Sequence, residues 1–116
     1  MPVPELALRA AMTSVESFCR LRVPATLRDQ MRLEAKIRGN SITVMERRPP
    51  WREGIGSEWT SLKIAQLRYD PQTAVWSLYW CDSNDGWLHY ADAIPTRSVD
   101  ALIEAIDDDR SSVFFG

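Results

Sequence analysis

The sequence predicts an α+β fold, with an N-terminal helix, an antiparallel meander sheet of about five strands, and a C-terminal helix followed by a docked aromatic tail. Three observations carry that prediction. Apolar residues recur at helical spacing near both ends of the chain, they alternate with polar ones through the middle, and the breaks between the alternating runs are short and rich in Gly, Pro, Asn and Asp.

The first helix opens at Pro4 and Glu5, because proline at the first helical position loses no hydrogen bond and an early acid suits the dipole. Leu8, Met12, Val15 and Cys19 then form one stripe with Ala11 and Phe18, and the helix ends before Pro24 with Arg20 and Arg22 in its last turn. Ala25 to Gln30 reads as a helical turn or a loop. Leu33, Ala35 and Ile37 alternate with charges up to Gly39-Asn40, after which Ile42 and Val44 resume the period, so this segment is a hairpin with a two-residue turn. Pro49-Pro50 leads into the loop WREGIGSEWT, bracketed by Trp51 and Trp59. Ser61 to Tyr69 turns at Asp70-Pro71, Ala74 to Cys81 turns through DSNDG, and Gly86 to Ala91 completes the sheet. Ser98 caps the last helix, whose Val99, Leu102, Ile103 and Ile106 share a face. With no repeat and no long linker, residues 1–116 read as one domain, long enough to bury roughly 65% of its unfolded surface without metal or disulfide.

Composition excludes several classes. No run approaches the length of a membrane span, and the start of the chain lacks the pattern of a secretory signal. Cys19 and Cys81 stand apart with no CxxC pair, which predicts reduced thiols in a cytoplasm and neither a disulfide framework nor a thiolate zinc site. A net charge of −2 argues against a dedicated binder of many phosphates. The charge is uneven, with ten cations against seven acids in residues 1–58 and four against nine in residues 59–116. Either the two halves pair at their rims, or two poles face different partners.

Among residues suited to chemistry, Trp76, Tyr79, Trp80, Trp87 and Tyr90 crowd the last three strands as a candidate aromatic surface, with Trp76, Leu78 and Trp80 on one face and Val75, Tyr79 and Cys81 on the other. One face takes the N-terminal helix; the other needs the C-terminal helix, a second subunit or a ligand. Glu46, Arg47, Arg48, Trp51 and Arg52 form a second cluster, since guanidinium forks beside an indole suit a phosphate, a carboxylate or a stacked base. Alternation also sends Arg47 and Arg48 to opposite faces, which fits internal pairing of one with an acid from the late half and solvation of the other. His89, the sole histidine, has no metal-ligand spacing around it and reads as a hydrogen-bonded sheet residue, and DSNDG reads as a hairpin turn instead of a calcium loop. Asp107, Asp108 and Asp109 oppose the helix dipole, so they form a solvated turn, meet arginines of the basic half, or hold a cation. No catalytic group, metal site or cofactor is predicted.

The ordered set ERRPPW from Glu46, EWT from Glu58, IAQLRY from Ile64, WSLYW from Trp76, WLHY from Trp87 and a final D-x-x-x-x-F-F-G resembles a bacterial family known as a domain of unknown function, DUF3024-like, collinear from about Phe18 to Gly116. Phe115 departs from it, standing where the family has Trp. The resemblance implies no catalytic residues, and it implies that Glu46, Arg47, Arg48, Trp51, Trp59 and Asp109 belong to the family pattern. A small cytoplasmic protein-interaction or regulatory module, binding a protein partner or itself as a homodimer, is the first expectation. A nucleic-acid or phosphate-ligand binder using Arg47, Arg48 and Trp51 is the alternative.

Overall fold

A computed structural model describes residues 4–50 and 59–116. Trp51 and Arg52, with the rest of the loop to Glu58, lie outside the described residues. Helix α1 spans Pro4–Arg22, a 3-10 turn covers Ala25–Leu27, strands β1 to β5 span Arg32–Arg38, Ser41–Arg48, Thr60–Asp70, Val75–Cys81 and Trp87–His89, and α2 spans Val99–Asp108. The strands pair in chain order, every neighbour antiparallel, as short connections require.

Local chemistry sets each turn. Gly39 supplies φ +56° between β1 and β2, and a methyl group added there would touch nothing, so the demand is on backbone conformation alone. Between β3 and β4, Asp70 accepts the Gln72 N–H on its side chain at 2.9 Å and the Ala74 N–H on its carbonyl at 2.8 Å. Between β4 and β5, Asp82 Oδ1 accepts the N–H groups of Asn84 and Gly86 at 2.9 and 2.8 Å, which makes DSNDG a turn built on one carboxylate. β5 is shorter than its sequence pattern, because after Tyr90 donates to the Leu78 carbonyl at 2.8 Å the chain turns away.

Leu8, Ala11, Val15 and Cys19 of α1 and Leu102 and Ile106 of α2 are buried in one cluster with Ile42, Val44, Leu67, Tyr69, Trp76 and Leu78 from a single side of the sheet. Both helices therefore share that side, so the C-terminal helix, one of the three coverings expected for the second face, is not the one that covers it. Burial of the thiol pushes Cys19 up to about 11, with the Glu16 and Glu34 carboxylates adding to the effect. A β-bulge interrupts β3, where Val44 pairs with Ala65 but Met45 pairs with Lys63. Ile64 and Ala65 are consecutive and both buried, and beyond them Lys63 faces away from the helices.

The tail docks by charge as well as by apolar contact. α2 runs two residues past Ile106, and Asp109 then leaves it at φ +46°. Its carboxylate accepts the Phe114 N–H on one oxygen and the Phe115 N–H on the other, each at 2.9 Å. Phe114, 5% exposed, packs on Tyr90 with ring centroids 5.1 Å apart. Arg22 lies over the Phe115 ring at 4.3 Å and donates to Asp107, joining the end of α1 to the end of α2. Of the three aspartates, one pairs with the basic half, one clasps the tail, and Asp108 makes an exposed contact to Arg110 at 3.6 Å.

Candidate functional site

With both helices on one side, the other side of the sheet carries no helix. Antiparallel register assigns to it Arg32, Lys36, Arg38, Arg47, Lys63 and Arg68 against Glu34 and Asp70, and Asp85 of the β4–β5 turn reaches Lys63, which leaves a surplus of three cations on a chain whose net charge is −2. Tyr79, Trp87 and His89 share this face, which thus combines positive charge with aromatic rings.

Three cation-aromatic pairs are set across it. The Arg68 guanidinium lies 3.8 Å from the centre of the Tyr79 ring, whose edge meets His89 at 5.4 Å. Arg68 Nε donates to Gln66 Oε1 at 2.7 Å, and Gln66 Nε2 donates in turn to Thr43 Oγ1 at 3.0 Å. Because Thr43, Gln66, Tyr79 and His89 are successive cross-strand partners, the row is fixed by register and Arg68 is held by the row. On β1, Arg32 sits over Trp59 at 4.4 Å while its Nε donates to the Arg28 carbonyl at 3.1 Å. Lys63 lies 5.9 Å from the centre of Trp87 and donates to Asp85 at 2.9 Å. That hydrogen bond raises the lysine above its ordinary range and lowers Asp85 below the usual carboxylate range. The half-buried thiol of Cys81 is also raised, first by burial and then by the Asp85 charge.

The residues singled out from sequence fall into three groups. Arg47 and Arg48 do take opposite faces; Arg47 donates to Glu34 at 3.1 Å on the open side, and Arg48 pairs with Glu46 on the helix side. Arg47 Nε is buried with no hydrogen-bond partner among the described residues. These pairings stay within the basic half, so of the ion pairs among the described residues only that of Arg22 with Asp107 joins the two halves. Trp59 belongs to the open face through Arg32, whereas Asp109 sits at the tail clasp. The aromatic set divides. Trp76 and Tyr90 are core residues at 3% and 6% exposure, Trp80 is half-buried on the helix side, and Tyr79 and Trp87 alone of the five lie on the open face. The expected aromatic surface is corrected accordingly, since strand alternation separates two faces but does not say which one the helices cover.

The sequence model of the family described as Domain of unknown function (DUF3024) matches residues 3–116. The chain belongs to the DUF3024 family. No curated protein and no solved structure matches it. In this DUF3024 member the residues that sequence reasoning passed over are Arg32, Lys63, Arg68, Gln66 and His89 as parts of one surface. A signal for Arg32 existed: the two-residue turn at Gly39-Asn40 fixes the β1–β2 register, and Arg32, with Lys36 and Arg38, has the parity that alternation sends away from Leu33 and Ile37. Apart from this face, a concavity of about 640 Å³ lies against α2, with Tyr90, Asp92, Glu104 and Asp108 on its walls. No described helix is long and apolar enough to cross a membrane.

Proposed function

We propose that this DUF3024 chain is an interaction module whose recognition surface is the helix-free side of its sheet, and that its partner there is anionic. The observation that carries the reading is the cation surplus on that side, held in place by aromatic rings and by the chain from Arg68 through Gln66 to Thr43. An exposed five-stranded face whose arginines are pre-positioned loses little side-chain entropy on binding, which favours a charged partner over a solvated surface without a role. Face-to-face pairing of two copies would set cations opposite cations, so this side serves a different molecule better than it serves a homodimer. Two free thiols are consistent with a reducing, cytoplasmic setting.

A nuclear magnetic resonance titration tests the reading. With poly-L-glutamate and with inorganic polyphosphate at low salt, shifts are expected at Arg68, Gln66, His89 and Lys63, and not at Leu102 or Ala105 on the helix side. Shifts confined to the helix side, or none with either polyanion, would overturn it.

A further inference from the structure

We infer that the anionic partner of this face is single-stranded nucleic acid; the inference rests on the reading just given and names the chemistry of its ligand. An acidic peptide asks only for cations at carboxylate spacing. Here Arg68 and Arg32 lie against rings and Lys63 sits near one, at 3.8, 4.4 and 5.9 Å. A guanidinium resting on Tyr79 presents a planar cation, which can stack under a base while its charge neutralises a neighbouring phosphate, and aromatic rings add the sequence-tolerant stacking that unpaired bases favour. Charge and stacking are thus supplied by the same pairs.

The shape of the site separates a single strand from a duplex. Reading a duplex calls for an element that enters a groove, and base faces inside a duplex are hidden by their neighbours. The open side is instead a sheet surface, about 19 Å from β1 to β5 at roughly 4.8 Å per strand gap, a span that suits the short end of the 4–16 nucleotides such surfaces hold. Its cation-aromatic pairs stand at separate places across that width. Arg32 with Trp59 lies by the β1 edge, Lys63 with Trp87 joins β3 to β5, and Arg68 with Tyr79 and His89 crosses β3, β4 and β5. A strand laid across the sheet meets them in succession. The amide of Gln66, wired between Arg68 and Thr43, places polar groups in the same row for base edges or sugar hydroxyls.

The test uses the full chain, fluorescence anisotropy with labelled dodecathymidylate, and a salt series, with poly-L-glutamate and a duplex of the same length as competitors. Tyr79→Ala is expected to weaken dodecathymidylate binding about 5- to 150-fold with little change in the salt slope, because it removes stacking and no charge. Arg68→Gln is expected to flatten the slope by about 0.7, the contribution of one phosphate contact on a single strand. Tyr79→Phe should retain most of the affinity, and urea unfolding of each variant separates lost binding from lost folding. Tight binding of poly-L-glutamate with no binding of the oligonucleotide, or oligonucleotide binding that Tyr79→Ala leaves intact, would overturn the nucleic-acid inference while leaving an anionic partner in place. Preference for the duplex would overturn it as well. Failure of every polyanion to bind at 20 mM salt, roughly a 20 Å screening length, would remove the underlying reading too.

Discussion

Replacing Asp109 probes the tail clasp with three variants whose order is fixed by the structure. The carboxylate receives two backbone N–H groups at 2.9 Å, from Phe114 and Phe115, on a residue held at φ +46°. Hydrogen bonds to a charged group contribute about 1.5–3 kcal/mol each, an upper range for a half-buried acceptor. The loss is also capped, because the tail can undock as a unit, forfeiting mainly the burial of Phe114 at about 1.5–3 kcal/mol. Asp109→Ala, which loses both acceptors and keeps a Cβ in the left-handed region without the polar group that supports it there, is expected to cost about 3 kcal/mol. Asp109→Gly also loses both acceptors but tolerates that φ, so about 2 kcal/mol is expected. Asp109→Asn keeps one acceptor oxygen and a residue type at home in that region, for about 1 kcal/mol. Urea unfolding followed by tryptophan fluorescence reads these as midpoint shifts, roughly 2 M for the alanine variant at a slope near 1.5 kcal/mol/M. A change under about 0.5 kcal/mol for Asp109→Ala, or asparagine no better than alanine, would refute the clasp.

Three further outcomes follow from the fold. Cys81, half-exposed, should react with a thiol reagent in the folded protein, while Cys19, buried and pushed up to about 11, should react only on unfolding; mass spectrometry after timed alkylation checks the order, and equal rates would contradict it. Gly39→Val should cost about 1–2 kcal/mol by thermal or urea unfolding and Gly39→Asn much less, since φ +56° is the sole obstacle and the added side chain meets open space. Asp85 is held below its ordinary 3.8 by Lys63, so the pair's contribution is present above that pH and fades as pH falls through the lowered value; Lys63, raised above 10.5, loses its share as pH climbs through its own. Carboxyl resonances should show Asp85 titrating at higher pH in Lys63→Gln than in the parent, and identical titrations would contradict the pairing.

How far the sequence foretold this molecule differs from element to element. Both helices, the Gly39-Asn40 hairpin and the strand order follow from periods and turn chemistry, which are local. The side on which α2 packs is not local. It depends on how the chain leaves β5, where the Tyr90 and Thr96 backbones bond to Leu78 and Trp76 and lead the chain back towards α1. Trp76 and Tyr90 were therefore legible as strand aromatics but not as core. Arg47 and Arg48 were separated correctly by alternation, yet their acids, Glu34 and Glu46, come from the same half of the chain, because a hairpin partner lies nearer than a distant pole. The tail clasp was hidden for a different reason. Three adjacent aspartates look like a penalty at a helix end until the last one turns its two oxygens to the chain beyond it.

The bulge in β3 makes one strand carry two opposite parities. Odd-numbered residues 65, 67 and 69 point to the helices, whereas before the bulge it is the even-numbered Leu62 that shares their side and Lys63 that does not. Pairing the same residues without the bulge would exchange inside for outside along the whole leading end of the strand, driving an ammonium towards the core and leaving Leu62 among the arginines. Deleting Ile64 would instead make the Ala65 and Lys63 pairings consecutive and keep Lys63 on the open side, so it is the bulge that reconciles the two parities of this strand with one pair of faces.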